Sequence, residues 1–424
     1  MSRERTRQVR TRRTWRGVAG AATAIVLVGG GFAVANASTE GVKKSDVGVQ
    51  RPVNKKAKGV AGVVSAANAF LNTLTSDEQS ATLLDFTQAN ATAWSNLPCG
   101  SSCRVGVEFS SLTTDQIAAA EAVLKEALGT GKDTGYQHVL QTLAADDVLA
   151  SAQATSSAGA PTDAPSDAPT DSASADPSAS STDTAVPTDA PTGAPPSGGT
   201  GGGGGGGYGS SQYFMAFLGT PSATGTWQLH FGGHHLAVNI TYKDGKVVGA
   251  SPYFTGVEPS SWTASDGTTV APLNRFRDGM LKLTASLSTA ELAKAKLSES
   301  FSDVLLGPNK DGDFPETKEG IKVSELSAKQ KKLVLAAMRP WVADADDATA
   351  EKLMKTYAKE LDQTYVSYSG GTGLDTQGDY VRIDGPSVWI EFVCQDGVVF
   401  RDQVHYHTVY RDHTRDYGSE FSFS

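Results

Sequence analysis

Residues 151–207 constrain this chain more than any other feature. The tract is built from Ala, Ser, Thr, Pro, Asp and Gly, with Gln153 and Val186 as its exceptions, and it closes in seven consecutive glycines. A segment with so few apolar side chains cannot bury enough surface to offset its ordering entropy. It is expected as a disordered low-complexity linker, a glycosylation-prone stalk or loop insertion, so the core must come from the residues on either side. A phosphate-cradling loop would need Lys-Ser/Thr after the glycines, and Tyr208 follows instead. Setting aside this tract and an N-terminal export segment leaves ~330 residues, enough for one large domain or two modest ones.

The export segment is read from residues 1–37. An Arg-rich run, Arg3 to Arg16, precedes an apolar Gly/Ala/Val stretch and the small-x-small site Ala35-Asn36-Ala37. Thr11-Arg12-Arg13-Thr14-Trp15 also resembles a twin-arginine signal, and the choice between the two export routes stays open. A secreted, extracellular protein is expected, with the membrane met only through this segment or through an uncleaved anchor. The full chain carries a formal charge of −9, but residues 1–37 hold seven Arg against one Glu, so the remainder stands at −15. A chain this acidic lacks the basic surface that nucleic-acid binding requires, and no nucleic acid is expected as a partner. Cys99 and Cys103 in CGSSC suit a disulfide in an oxidising compartment, and Cys394 is expected as a small buried apolar residue.

Helical periodicity starts at Val60, and Thr113/Gln116, Ser288/Glu291 and Ser327/Gln330 each read as a capping box opening a helix. Residues 138–150 and 348–365 have the same texture. Strand-like segments cover Trp227–Phe231, Leu236–Tyr242, Val247–Tyr253, Tyr380–Ile383, Val388–Cys394 and Val398–Tyr410, with turn signals at Asp244-Gly245 and Asp396-Gly397. The expected fold class is α+β, an antiparallel sheet region with segregated helices, interrupted by the disordered insertion. Its expected parts are a secretion signal (1–37), a polar tether (38–58), a helical section (59–150), the linker (151–207) and an α+β section (208–424) that packs with 59–150 as one domain.

Six of the seven histidines fall in two windows: His230, His234 and His235, then His405, His407 and His413. On a strand, His405 and His407 share a face, because side chains alternate with period two. Adjacent His234 and His235 would point to opposite faces, with His235 on the polar one, the better ligand. Three imidazoles are the minimum for an open catalytic metal site. The expected metal set is His235, His405 and His407, with His234 as ligand or support, around a divalent transition metal: zinc, copper, iron or manganese. Glu391 joins only if the strand register allows it, since a two-residue turn at Asp396-Gly397 would face it away from the histidines. Arg382 and Arg411 either clamp an anionic substrate or pair with Asp384, Asp412 or Asp416. HExxH and GxSxG are missing, and Asn309–Asp313 lacks the Gly and Glu of an EF-hand loop.

Several longer patterns resemble one bacterial family. They are Trp227, Gly233-His234-His235, Asn239 and Tyr253-Phe254-x-Gly256-x-Glu258-Pro259, then Tyr380-x-Arg382-x-x-Gly385-Pro386, Ile390-Glu391, His405-x-His407-Thr408-Val409-x-Arg411-Asp412 and Asp416-Tyr417-Gly418. Together with Phe70-Leu71, Trp94-x-x-x-Pro98 and Gly135-Tyr136, they resemble the domain of unknown function 3500 over about residues 60–424. The resemblance implies membership without an activity. It also marks a departure: relatives carry an Arg shortly before the N-terminal Trp, where this chain has Asn90-Ala91-Thr92-Ala93. The functional expectation is a secreted metal-dependent enzyme of hydrolase type acting on a small-molecule or extracellular substrate. The alternative is a non-catalytic extracellular metal- or ligand-binding protein, and a metal-free adhesion module is a third reading.

Overall fold

The computed structural model describes residues 48–158 and 207–423. The expected secretion signal, the first part of the tether and most of the low-complexity tract lie outside the described residues. The helices follow from local signals. Capping boxes form at all three expected sites, opening α4 (Thr114–Ala127), α7 (Thr289–Ala295) and α8 (Ala328–Val342). A fourth, Thr75 with Glu78, opens α2 (Ser76–Thr82), between α1 (Val60–Leu71) and the one-turn α3 (Gln88–Ala91). In such a box the side-chain oxygen and the N3 carboxamide or carboxylate satisfy backbone donors that the helix start leaves free. Ser327→Ala is therefore expected to cost about 1 kcal/mol of unfolding free energy, read from the urea midpoint at unchanged m-value.

The other helices are α5 (Tyr136–Ala158), α6 (Asn274–Thr284) and α9 (Asp347–Glu360). α5 runs on from residue 151 to residue 158, inside the tract expected to be disordered. Ser151 to Ala158 contain neither Pro nor Gly, and the first proline is Pro161, so helix propensity carries past the composition boundary. The end of the expected tether is also held. Gly48 N–H donates to Leu74 O, and Arg51 N–H to Asn72 Oδ1, at the C-terminal end of α1.

Among the described residues, nine longer strands carry the sheet: β1 (Phe214–Leu218), β2 (Thr226–Gly232), β3 (Leu236–Lys243), β4 (Lys246–Gly249), β5 (Tyr253–Val257), β6 (Tyr365–Ser369), β7 (Tyr380–Asp384), β8 (Val388–Asp396) and β9 (Val404–Asp412). With three two-residue strands they make a 12-stranded, mostly antiparallel sheet whose central order is β1-β2-β3-β5-β9-β8-β7-β6. The α+β expectation holds. The join between β5 and β9 brings the two histidine windows together.

The sheet faces differ. Leu236, Val238, Ile240, Tyr406, Tyr410, Ile390 and Phe392 belong to the principal core with residues of α1, α4, α6 and α8. Trp341 Nε1 of α8 donates to Thr408 Oγ1 on this face. The opposite face is covered by loops. Trp94, Leu297, Phe301 and Val304 pack there on Ala237, Phe254, Tyr380, Val393 and Val409. His405, His407 and Arg411 have the parity of Val409, so the histidines lie under loops, where polar partners are within reach.

The Asp396-Gly397 turn is longer than a two-residue hairpin. β8 ends at Asp396, β9 starts at Val404, and Gly397 N–H donates to Gln403 O. Glu258 Oε1 captures the N–H groups of Val399 and Phe400 and stabilises the wider loop. The register becomes Gln395↔His405, Val393↔His407, Glu391↔Val409 and Trp389↔Arg411. Glu391 consequently faces the same side as the histidines, which a two-residue turn would have prevented.

Candidate metal centre

The middle of the site is a space left by a missing side chain. His235 lies just before β3, Gly256 on β5 and His407 on β9, and Gly256 pairs with His407 while its N–H donates to His235 O. A Cβ on Gly256 would stand 2.6 Å from His235 Cδ2 and 2.8 Å from His407 Cδ2. The two rings close over the glycine. His405, two residues before His407 on the same face, completes the group, with its ring 4.5 Å from His407 and 4.9 Å from His235.

One ring nitrogen from each of His235, His405 and His407 lies within 4.8 Å of the others. His235 Nε2 and His405 Nε2 are 2.9 Å apart. Imidazole nitrogens sharing a tetrahedral zinc at about 2.0–2.1 Å stand ~3.3 Å apart, so the rings need only small movements to share an ion. Their other nitrogens meet carboxylates. Asp146 Oδ1 of α5 is 2.5 Å from His235 Nδ1, Asp303 Oδ1 is 2.8 Å from His407 Nδ1, and Glu258 Oε2 is 3.6 Å from His405 Nδ1. Carboxylates behind imidazoles fix the tautomer and ring angle of metal-ligating histidines. Two buried ring nitrogens, His407 Nε2 and His405 Nδ1, have no hydrogen-bond partner among the described residues.

Burial sets the protonation. It pushes His235 down to about 3, with His234 adding to the effect, and takes His405 well below the ordinary range, reinforced by His407 and His235. Burial alone would raise Asp146, but the imidazoles of His235 and His234 outweigh it and hold the carboxyl well below the usual carboxylate range. Neutral His235 and His405 beside an ionised Asp146 are in the form that binding of a cation requires.

His234 does not face away from His235 as strand alternation would have it. Both residues precede β3, and their rings lie 3.5 Å apart. His234 Nδ1 is 3.3 Å from Asp146 Oδ2, without the alignment of a hydrogen bond, and Tyr208 covers the ring at 4.7 Å. Asp146, His234 and His235 form a second group able to hold an ion, sharing His235 with the first.

The three residues expected in catalytic roles are used by the fold. Glu391 accepts from the N–H groups of Leu305 and Leu306, from Trp389 Nε1 and from Tyr380 OH. Arg382 pairs with Glu319 and lies over Trp389. Arg411 pairs with Asp311 and Asp416 and donates to the carbonyls of Leu306 and Gly307. Among the described residues, no hydrogen bond joins any of the three to the clustered histidines. Both arginines and Glu391 pin loops onto the sheet. His230 is bound to Asn239 and to Ala93 O, and His413 to Asp384.

Sequence reasoning missed the three supporting carboxylates. Asp146 carried one signal, an acidic residue amid the apolar positions of a helix. Glu258 stood in a quoted pattern without a role, and nothing near Asp303 marked it.

Fold and site together define an α+β protein with a buried, carboxylate-backed three-imidazole centre. The chain belongs to the family described as protein of unknown function (DUF3500), whose model matches residues 56–419. Neither the curated proteins nor the solved structures contain a match to it.

Proposed function

We propose that this is an exported metalloprotein that holds one divalent transition ion on His235, His405 and His407 and uses it in hydrolysis of an extracellular small molecule. The observation that carries the reading is the gathering of three buried rings, two of them paired at Nδ1 with a carboxylate, His235 with Asp146 and His407 with Asp303. Three imidazoles leave a coordination position for water or substrate, and an ion there supplies Lewis acidity and lowers the pKa of a bound water. Asp146 and Asp303 orient the rings of His235 and His407, and Glu258 lies 3.6 Å from His405 Nδ1. Arg382, Arg411 and Glu391 support the loops above.

A second reading, an ion-binding protein without turnover, is favoured by burial, since His405 and His407 are each only 4 % exposed. Element analysis of the full chain, purified without a histidine tag, tests the shared part of both readings. Near-stoichiometric metal in the parent and none in a folded His405→Ala/His407→Ala variant is expected. Absence of metal, with no uptake of zinc, copper, iron or manganese on addition, would overturn both. Hydrolysis of ester, amide or phosphoester probes that disappears with the metal separates the enzyme from the binder.

A further inference from the structure

The segment from Ala93 to Arg104 crosses the histidine-bearing face as a strap. Ala93 O meets His230 Nε2 at 3.2 Å, and the Trp94 ring packs on Phe254 while its Nε1 donates to Tyr417 OH. Asn96 Nδ2 donates to Asp303 Oδ2 at 2.8 Å and lies 3.5 Å from His407 Nδ1. Asn96 therefore steadies the carboxylate that orients His407. Its own position depends on Arg104, whose Nη2 donates to the carbonyls on either side, Ser95 O at 2.8 Å and Leu97 O at 2.6 Å. Arg104 is buried, and its Nη1 faces Gly100 O and both sulfurs of the Cys99–Cys103 disulfide at 3.5 to 3.6 Å.

The chain of contacts is continuous: disulfide, Arg104, the 95 and 97 carbonyls, Asn96, Asp303, His407. Both cysteines are partly exposed, whereas Cys394 is buried in the core. Cys394 is already a free thiol, so the partly exposed Cys99–Cys103 bond is the disulfide that an external reductant can reach among the described residues. Opening it frees residues 99–103 and removes the closed loop that holds Arg104 against the strap's carbonyls.

We propose that the Cys99–Cys103 disulfide is a redox control on the histidine centre, and that reduction by an external dithiol releases Asn96 and loosens His407. In the exchange a thiolate of the dithiol attacks one sulfur, the S–S bond breaks and a mixed disulfide forms; the second thiol resolves it. Two electrons pass to the protein, both cysteines leave as thiols, and the dithiol departs as its own disulfide. The consequence for metal retention rests on the metal reading above, whereas the release of the strap does not.

The test uses the full chain in three forms: oxidised, reduced with a phosphine that does not carry a competing thiol, and Cys99→Ser/Cys103→Ser. Two readouts are taken, amide deuterium exchange over residues 94–98 and 301–305, and release of loaded zinc to a chromophoric chelator. Exchange and zinc release both faster by about tenfold or more in the reduced and variant forms, and restored on reoxidation, are expected. Exchange unchanged within about twofold in the reduced protein overturns the proposal, whatever the metal does. Faster exchange with unaltered zinc release overturns the control of the centre and leaves a strap of structural use. Faster exchange in a protein that takes up no zinc in any form supports the strap and overturns the metal reading instead. Should the variant fail to fold, the reversible reduction of the parent decides alone.

Discussion

Gly256→Val is expected to abolish metal retention while leaving the chain folded. Two facing imidazoles occupy the space that a β-carbon on residue 256 would need, at 2.6 and 2.8 Å, closer than van der Waals contact permits. Gly256 lies near the end of β5, pairs with His407 of β9 and is not among the residues of positive φ, so valine meets no backbone penalty there and has the better strand propensity. The cost is steric and local. Overpacking of this kind typically takes about 1–3 kcal/mol from stability, and the rings that must yield are two of the three proposed ligands. Metal content after dialysis, together with the urea midpoint, checks the prediction. Retention of a full equivalent would show that the ion sits away from this row. Gly256→Ala should give the same result in milder form.

Asp146→Ala is expected to have the largest effect on stability of any single change near the site. Its carboxylate accepts from His235 Nδ1 at one oxygen and from the Tyr213 hydroxyl at the other, at 2.5 and 2.7 Å, and all three groups are buried. Truncation leaves two buried donors without an acceptor and opens a hole beside α5. Leaving a buried donor unpaired costs roughly 1–3 kcal/mol for each of the two groups. Asp146→Asn keeps the volume and one acceptor and should cost less. Chemical denaturation of both variants reads the difference. Equal stability of Asp146→Ala and the parent would mean that Asp146 is not the anchor between α5 and the rings. The sign with pH also follows. Asp146 is held below its unfolded pKa, so its contribution is complete above the unfolded value and declines as pH falls towards the folded one.

What the sequence conveyed was what depends on neighbours. Thr113/Gln116, Ser288/Glu291 and Ser327/Gln330 made the expected boxes because each involves four consecutive residues. His405 and His407 shared a face because strand alternation is local as well. What the sequence left open or missed had distant causes. The Asp396-Gly397 hairpin widened because Glu258, far back in the chain, holds two of its N–H groups. His234 and His235 broke the alternation because they sit ahead of β3, gathered on one carboxylate of α5. For Arg411 the sequence leaves a substrate clamp and a carboxylate pair both open; it does pair with Asp416, but Asp311 and the Leu306 and Gly307 carbonyls are a hundred residues or more away in sequence. Periodicity reveals which side of an element is polar, but not which polar groups are already spoken for.

The centre draws on α5, the approach to β3, the end of β5, the loop bearing Asp303, and β9. Its closest contacts join residues 89, 170 and 104 positions apart. Contacts of such separation form after local ones, because long loops must close first. A nascent chain synthesised as far as residue 400 already holds Asp146, His235, Glu258 and Asp303, but neither ring of β9. The last strand of this sheet to leave the ribosome is the one that completes the three-ring group, so that group can hold an ion only at the end of folding, whereas Asp146, His234 and His235 are together in the chain much earlier.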